Sequence, residues 1–289
     1  MELTREYLRA HLPERPEQGH KGSFGHLFVL AGSRGFTGAA KLACEAAGRS
    51  GVGLVTLGVP RTLGDAMAAS LLETMSLPLP ATDAESLSFA ALEPALQFAA
   101  DKQAVALGPG LSRHPETTAF VHAFVARCTA PMIVDADGLN ALSERPETLT
   151  AIQAPCILTP HPGEMARLTA STTAEVQRDR EASARRLANS SRCVVVLKGH
   201  HTLIAGPDER LAVNLTGNNG LAKGGTGDVL AGLLGGLLAQ GLPPFDAACL
   251  GVYLHGLAGD LAAARFTARG MTAGDVIALL PDAWRTIGA

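Results

Sequence analysis

Residues 217–232 read GNNGLAKGGTGDVLAG, with three glycines among the four residues before a single acid, Asp228, and an apolar run after it. Glycine lets backbone N–H groups approach an anion closely. A helix starting near Asp228 would add its unpaired N–H groups and the positive end of its dipole. Gly225, Thr226 and Gly227 could therefore cradle a phosphoryl group. A carboxylate beside a phosphate is unfavourable unless it takes a proton from an attacking hydroxyl, which is general-base chemistry. A second reading is structural: Asp228 caps the helix, and the glycines allow close helix packing. The spacing alone leaves both open.

Other polar clusters follow apolar runs. KGHHT places Lys198 where it could meet phosphates or serve as a solvated turn residue. VDADG carries Asp135 and Asp137, which could orient a Mg²⁺ through water or cap a turn. TPHPGE sets His161 and Glu164 at a strand–helix junction, and the dipole of a helix start favours Glu164 but does not explain His161. AGSRGFTG spaces its glycines as GxxGxxG, and the next strand ends without a ribose-binding acid, which disfavours a dinucleotide fold. No GxxxxGK[ST] loop occurs, and the histidines lack zinc-ligand spacing.

The elements needed to position these groups are legible in outline. Short, continuous apolar runs at 26–32, 53–59, 104–108, 132–137, 156–160 and 193–199 predict strands covered on both faces, as in a parallel sheet. Segments with helical spacing lie between them, at 37–50, 86–100, 114–128 and 173–190, which predicts an α/β fold. Residues 202–206 and 211–215 predict an antiparallel hairpin around PDER, and three apolar helices follow. Ligands bind outside the carboxyl ends of such strands, so the polar clusters should converge on one edge. With no linker or repeat, residues 1–289 are expected to form one domain, with 1–20 as a short lead-in.

Bulk properties narrow the function class. The 289 residues are 47% hydrophobic with a net charge of −3 and 4% aromatics, which argues against nucleic-acid binding. Five cysteines without a CxxC pair fit a reducing compartment and core roles. Neither an apolar leader nor 18 uninterrupted apolar residues is present, so a cytoplasmic protein without a membrane partner is expected.

Taken in order, HKGSFG, AGSRGFTGAAKLA, RSGVGLVTL, LGPGL, VDADGLNAL, ILTPHPGEMARL, VLKGHHT and GNNGLAKGGTGDVLAG resemble the ADP-dependent (S)-NAD(P)H-hydrate dehydratase family of the ribokinase-like superfamily. The resemblance runs from about Lys21 to the C-terminus. It implies a ribokinase-like fold: a mostly parallel central sheet, helices on both faces, an antiparallel hairpin at one edge. It also implies repair of the S form of hydrated NADH or NADPH (NADHX, NADPHX). ADP, or ATP in eukaryotic members, phosphorylates the ring hydroxyl; phosphate then leaves, with AMP as by-product when ADP is the donor. Asp228 matches the base. Lys198, Gly199, His200, His201, Thr202 and Gly227 match nucleotide-binding positions. Ala39 or Ala40, Gly110 and His161 match positions touching the hydrate. Glu164 stands where relatives carry a glutamate linked to Mg²⁺. The resemblance further implies a separate epimerase and a homotetramer. A ribokinase-like kinase of a vitamin-type hydroxyl substrate and a non-catalytic nucleotide-binding module are the competing readings.

Overall fold

The computed structural model describes residues 1–289. Nine strands form one sheet: β1 (His26–Leu30), β2 (Leu54–Pro60), β3 (Met75–Leu79), β4 (Ala104–Leu107), β5 (Met132–Val134), β6 (Cys156–Leu158), β7 (Val194–Leu197), β8 (Thr202–Ala205) and β9 (Leu211–Asn214). Their spatial order is β3-β2-β1-β4-β5-β6-β7-β8-β9. Pairing is parallel from β3 through β7, and antiparallel between β7 and β8 and between β8 and β9. This is the expected mixed α/β sheet with its hairpin at one edge.

Successive side chains on a strand point to opposite faces. On β1, Leu27 and Val29 enter one core while Phe28 and Leu30 enter the other. Both faces are therefore buried, which is why the strand reads as an unbroken apolar run. The helices divide by chain order. On one face lie α1 (Arg5–Ala10), α2 (Thr37–Gly48) and α3 (Gly64–Ser70). The other face is covered by α4 (Leu92–Ala99), α5 (Pro115–Arg127), α6 (Ala136–Glu144), α7 (Pro162–Leu168), α8 (Thr173–Arg178) and α9 (Arg180–Ser191). The chain then returns to the first face with α10 (Thr226–Ala239), α11 (Pro244–Gly270) and α12 (Ala273–Ile287). Regular helical geometry in α11 breaks at Thr267, whose φ is +66°. By length and composition α11 could cross a membrane, but 67% of its apolar window is packed inside the fold.

Some boundaries differ from expectation. The run 132–137 is strand only to Val134, and α6 begins at Ala136, so Asp135 sits at the turn and not in the sheet. The run 156–160 likewise stops at Leu158. Strand β3 was not anticipated: it is an edge strand with mostly exposed side chains, and it contains Pro78.

Helix α10 lies across the middle of its face, buried along nearly its whole length. A Cβ at Gly232 would fall 1.9 Å from the Ala43 carbonyl oxygen, and one at Gly236 would fall 2.0 Å from Ser50 Oγ. These glycines let α10 cross α2 closely, so the packing reading of the glycines holds for the body of the helix.

Candidate active site

The carboxyl ends of the parallel strands carry the polar clusters to one edge. After β1 comes Ala31–Phe36, after β4 Gly108–Leu111, after β5 Asp135, after β6 Thr159–His161, and after β7 Lys198–His201. The sheet changes winding direction between β1 and β4, which is where a doubly wound sheet opens a crevice. There Gly32 N donates to Pro109 O (2.9 Å) and Ser33 Oγ to Gly110 O (2.8 Å), tying the two loops together. A Cβ on Gly110 would come within 3.1 Å of the Ala39 Cβ. Ala39 is partly exposed here, whereas Ala40 is fully buried in the α2 core.

Across the edge, Lys198 is the centre of an ion network. Its Nζ donates to Asp135 Oδ1 at 2.7 Å and lies 3.8 Å from Glu164 Oε2. Thr159 Oγ1 donates to the same Asp135 oxygen at 2.7 Å. Asp135 and Glu164 are both buried. Burial disfavours the charge on Lys198, but the carboxylates of Asp135, Glu164 and Asp228 outweigh it and raise the ammonium's pKa. Glu164 is pushed upward by burial, with Lys198 pulling the other way. Asp135 does not cap α6 with its side chain. Asp137 accepts from Ser112 N (3.0 Å) and Asn140 Nδ2 (3.1 Å), so it orders the neighbouring loop.

His161 has a structural role that spacing did not reveal. It is the N-cap of α7: its Nδ1 accepts from Gly163 N (3.0 Å) and Glu164 N (3.3 Å), and Glu164 Oε2 accepts from His161 N (2.8 Å). Burial, with Lys198 and Arg167 nearby, lowers its pKa. The imidazole therefore stays neutral at physiological pH, with Nε2 free of the cap and 3.5 Å from Glu164 Oε1.

The start of α10 meets this network. Gly225, not Asp228, is the N-cap, with φ +93°. That left-handed conformation favours glycine. The backbone ladder begins with Val229 N to Gly225 O (3.1 Å), which leaves the N–H groups of 226–228 without helical partners. A Cβ on Gly227 would lie 3.7 Å from Lys198 Nζ and 3.8 Å from Asp135 Oδ2. Asp228 is thus in the first turn and does not cap it. Burial and the charges of Asp135 and Asp137 lift its pKa to about 6, against the opposing pull of Lys198.

Lys198, Gly199, His200, His201, Thr202, Thr226 and Gly227 all border one cavity of about 390 Å³. Its far wall is the segment 214–222, which overlaps the glycine-rich stretch singled out in the sequence but in which no individual site residue was named. Asp260 on α11 fixes that wall by accepting from Gly217 N (2.8 Å) and Asn218 Nδ2 (2.9 Å). His255, also missed, donates from Nε2 to Thr226 O at 2.9 Å under the start of α10. Burial lowers its pKa to about 4, so it acts as a neutral strut. Neither residue belongs to a local motif, and each lies about 30 residues or more along the chain from its partner.

An anion entering this end of the cavity would meet unpaired amides and the Lys198 ammonium, with the Asp228 carboxylate, its pKa raised, on the same first turn of α10. That combination suits phosphoryl transfer to a hydroxyl. The oxygen-rich carboxylate set also suits a hard cation held partly through water. No three His, Cys, Asp or Glu side chains converge into a complete cage.

Comparison with known proteins agrees in family and fold. The profile of the family described as NAD(P)H-hydrate dehydratase matches residues 27–282. A bifunctional NAD(P)H-hydrate repair enzyme of Moorella thermoacetica is 46% identical over 285 residues, covering 99% of this chain and 54% of that protein. The chain thus spans about half the length of such bifunctional relatives. An ADP-dependent (S)-NAD(P)H-hydrate dehydratase of Bacillus subtilis is 37% identical, over 98% of this chain and 97% of its own. A crystal structure of the Bacillus subtilis ADP/ATP-dependent enzyme, co-crystallised with ATP and Mg²⁺, superposes with a TM-score of 0.83 at 36% identity. It covers 98% of this chain and 97% of that one.

Proposed function

The chain belongs to the NAD(P)H-hydrate dehydratase family, and we propose that it restores NADH and NADPH from their S hydrates with ADP as phosphoryl donor. One observation carries the mechanism: the first turn of α10, with the free amides of 226–228 and Asp228, comes up against Lys198 beside the 390 Å³ cavity that Lys198, Thr226 and Gly227 border. ADP occupies the cavity between 198–202 and 214–222, with its terminal phosphate toward Gly227. The hydrate lies in the crevice by Ala39, Gly110 and His161. Its ring hydroxyl attacks the terminal phosphorus, Asp228 takes the hydroxyl proton, and AMP leaves. Departure of phosphate with loss of a ring proton then restores the dihydronicotinamide.

The supporting chemistry is specific. A base with a pKa of about 6 is ionised at neutral pH yet remains a competent proton acceptor. The amides of Gly225–Gly227 and the Lys198 ammonium stabilise charge on the migrating group. Glu164 and Asp135 would hold Mg²⁺, partly through water, and the ion would neutralise phosphate charge. One domain spanning 1–289, a cytoplasmic location, a homotetramer and an epimerase acting alongside complete the proposal.

The test is to incubate the protein with NADH hydrate, Mg²⁺ and either ADP or ATP. Recovery of dihydronicotinamide absorbance with AMP and free phosphate formed from ADP supports the dehydratase. A stable phosphorylated product would indicate a small-molecule kinase instead. Nucleotide binding without turnover would indicate a binding module.

A further inference from the structure

Arg180, the first residue of α9, lies outside every motif discussed above. Its guanidinium reaches the turn after β7 and donates to three main-chain carbonyls. NH1 bonds His200 O, and NH2 bonds Leu197 O (3.1 Å) and Lys198 O (3.4 Å). Nε is buried without a partner. Burial lowers the pKa of this arginine, and its hydrogen bonds all go to main-chain carbonyls and none to a carboxylate. A partly buried cation spent wholly on three carbonyls of one five-residue turn is costly to keep unless that turn needs a fixed shape.

Peptide geometry says what the shape accomplishes. All peptide bonds are trans, and in a trans peptide the C=O and the following N–H point in opposite directions. With the Lys198 and His200 carbonyls drawn to Arg180, the N–H groups of Gly199 and His201 must face away from it. Neither N–H has a main-chain or side-chain acceptor. Both residues border the 390 Å³ cavity. Gly199 (φ +144°) and His201 (φ +55°) hold positive φ values, and a Cβ on Gly199 would lie 3.0 Å from Arg180 NH2.

We infer that Arg180 is a positioning residue that turns the Gly199 and His201 amides into a second anion grip, for the phosphates of the donor nucleotide. The inference rests on reading the cavity as the ADP site. The guanidinium never touches the ligand. It polarises the two peptide units it binds, which strengthens their N–H groups as donors, and it holds the backbone that carries Lys198.

The test compares ADP with adenosine, which lacks phosphates, by calorimetric titration of the wild type, Arg180→Met and Arg180→Lys. Arg180→Met is expected to weaken ADP about tenfold, the scale of one lost charge-assisted hydrogen bond, and to leave adenosine unchanged. Arg180→Lys, with a point charge in place of a fork, is expected to fall between. In turnover, KM for ADP should rise while KM for the hydrate does not. Unchanged ADP affinity, or equal loss of ADP and adenosine, would overturn the inference. If Arg180→Met does not fold, Arg180→Lys decides by the same comparison, and failure of both to fold assigns Arg180 to stability alone and overturns it. Wild-type protein that binds neither ligand would sink the reading of the cavity and this inference with it.

Discussion

Lys198 and Asp135, 63 residues apart in the chain, form a 2.7 Å ion pair between the ends of β7 and β5, and that pair also sets the charge seen by Asp228. Removing the cation in Lys198→Met leaves buried Asp135 and Glu164 without it. Breaking a buried pair by deleting one partner costs about 3–5 kcal/mol; the Lys198 side chain is 20% exposed, so the loss should lie at the low end of that range. Lys198 also pulls the Asp228 pKa down, so the acid limb of any residual activity should move above about pH 6. Thermal melts and a pH–rate profile check both effects. An unchanged limb would mean that Asp228 does not sense Lys198.

Gly225 and Gly227 should respond oppositely to alanine. At Gly225 a Cβ meets Leu42 Cδ1 at 2.6 Å on a backbone with φ +93°. Gly225→Ala should therefore cost about 1–3 kcal/mol in stability. At Gly227 the Cβ has only ordinary contacts, at 3.7 and 3.8 Å, in a helical turn. Gly227→Ala should fold with equal or slightly greater stability and bind ADP more weakly, because the methyl occupies the phosphate's approach. Denaturant titration and ADP titration separate the two outcomes.

Asp228 should cost the fold stability at neutral pH. Its carboxyl takes up a proton at about pH 6 when folded, against the ordinary value of 3.8. The folded chain therefore binds more protons between about pH 6 and pH 4, and this group's contribution to stability rises as pH falls through that window. Asp228→Asn should then be more stable than wild type at pH 8, with the two converging near pH 4. Discounted for partial exposure, the gain should be about 1 kcal/mol, or about 2–4 °C in Tm. Melts at the two pH values check the sign, and a variant less stable at pH 8 would refute it.

Much of this arrangement was readable in the residues, for stated reasons. Double-sided burial made β1, β2 and β4 to β7 unbroken apolar runs, and KGHHT, TPHPGE and GGTGD each sit next to an element they help terminate or start. Strand β3 escaped because Pro78 and an exposed edge erase the buried-run signal. The strand expected over 132–137 was too long because Ile133 and Val134 are sheet residues but Asp135 is a turn residue, and apolarity does not mark that change. His161 showed no capping signal because histidine is not among the usual N-cap residues. Asp260, His255 and Arg180 act across long sequence separations on main-chain groups, which one-dimensional spacing does not encode.

The most direct measurement is the single-turnover rate at which Asp228→Asn regenerates dihydronicotinamide absorbance from NADH hydrate at saturating ADP and Mg²⁺, set beside wild type. With the amide cradle and Lys198 intact but the proton acceptor gone, the rate should fall about 10²–10⁴-fold while ADP still binds. A variant that folds, binds ADP and turns over within a few-fold of wild type would contradict the assignment of Asp228 as the base.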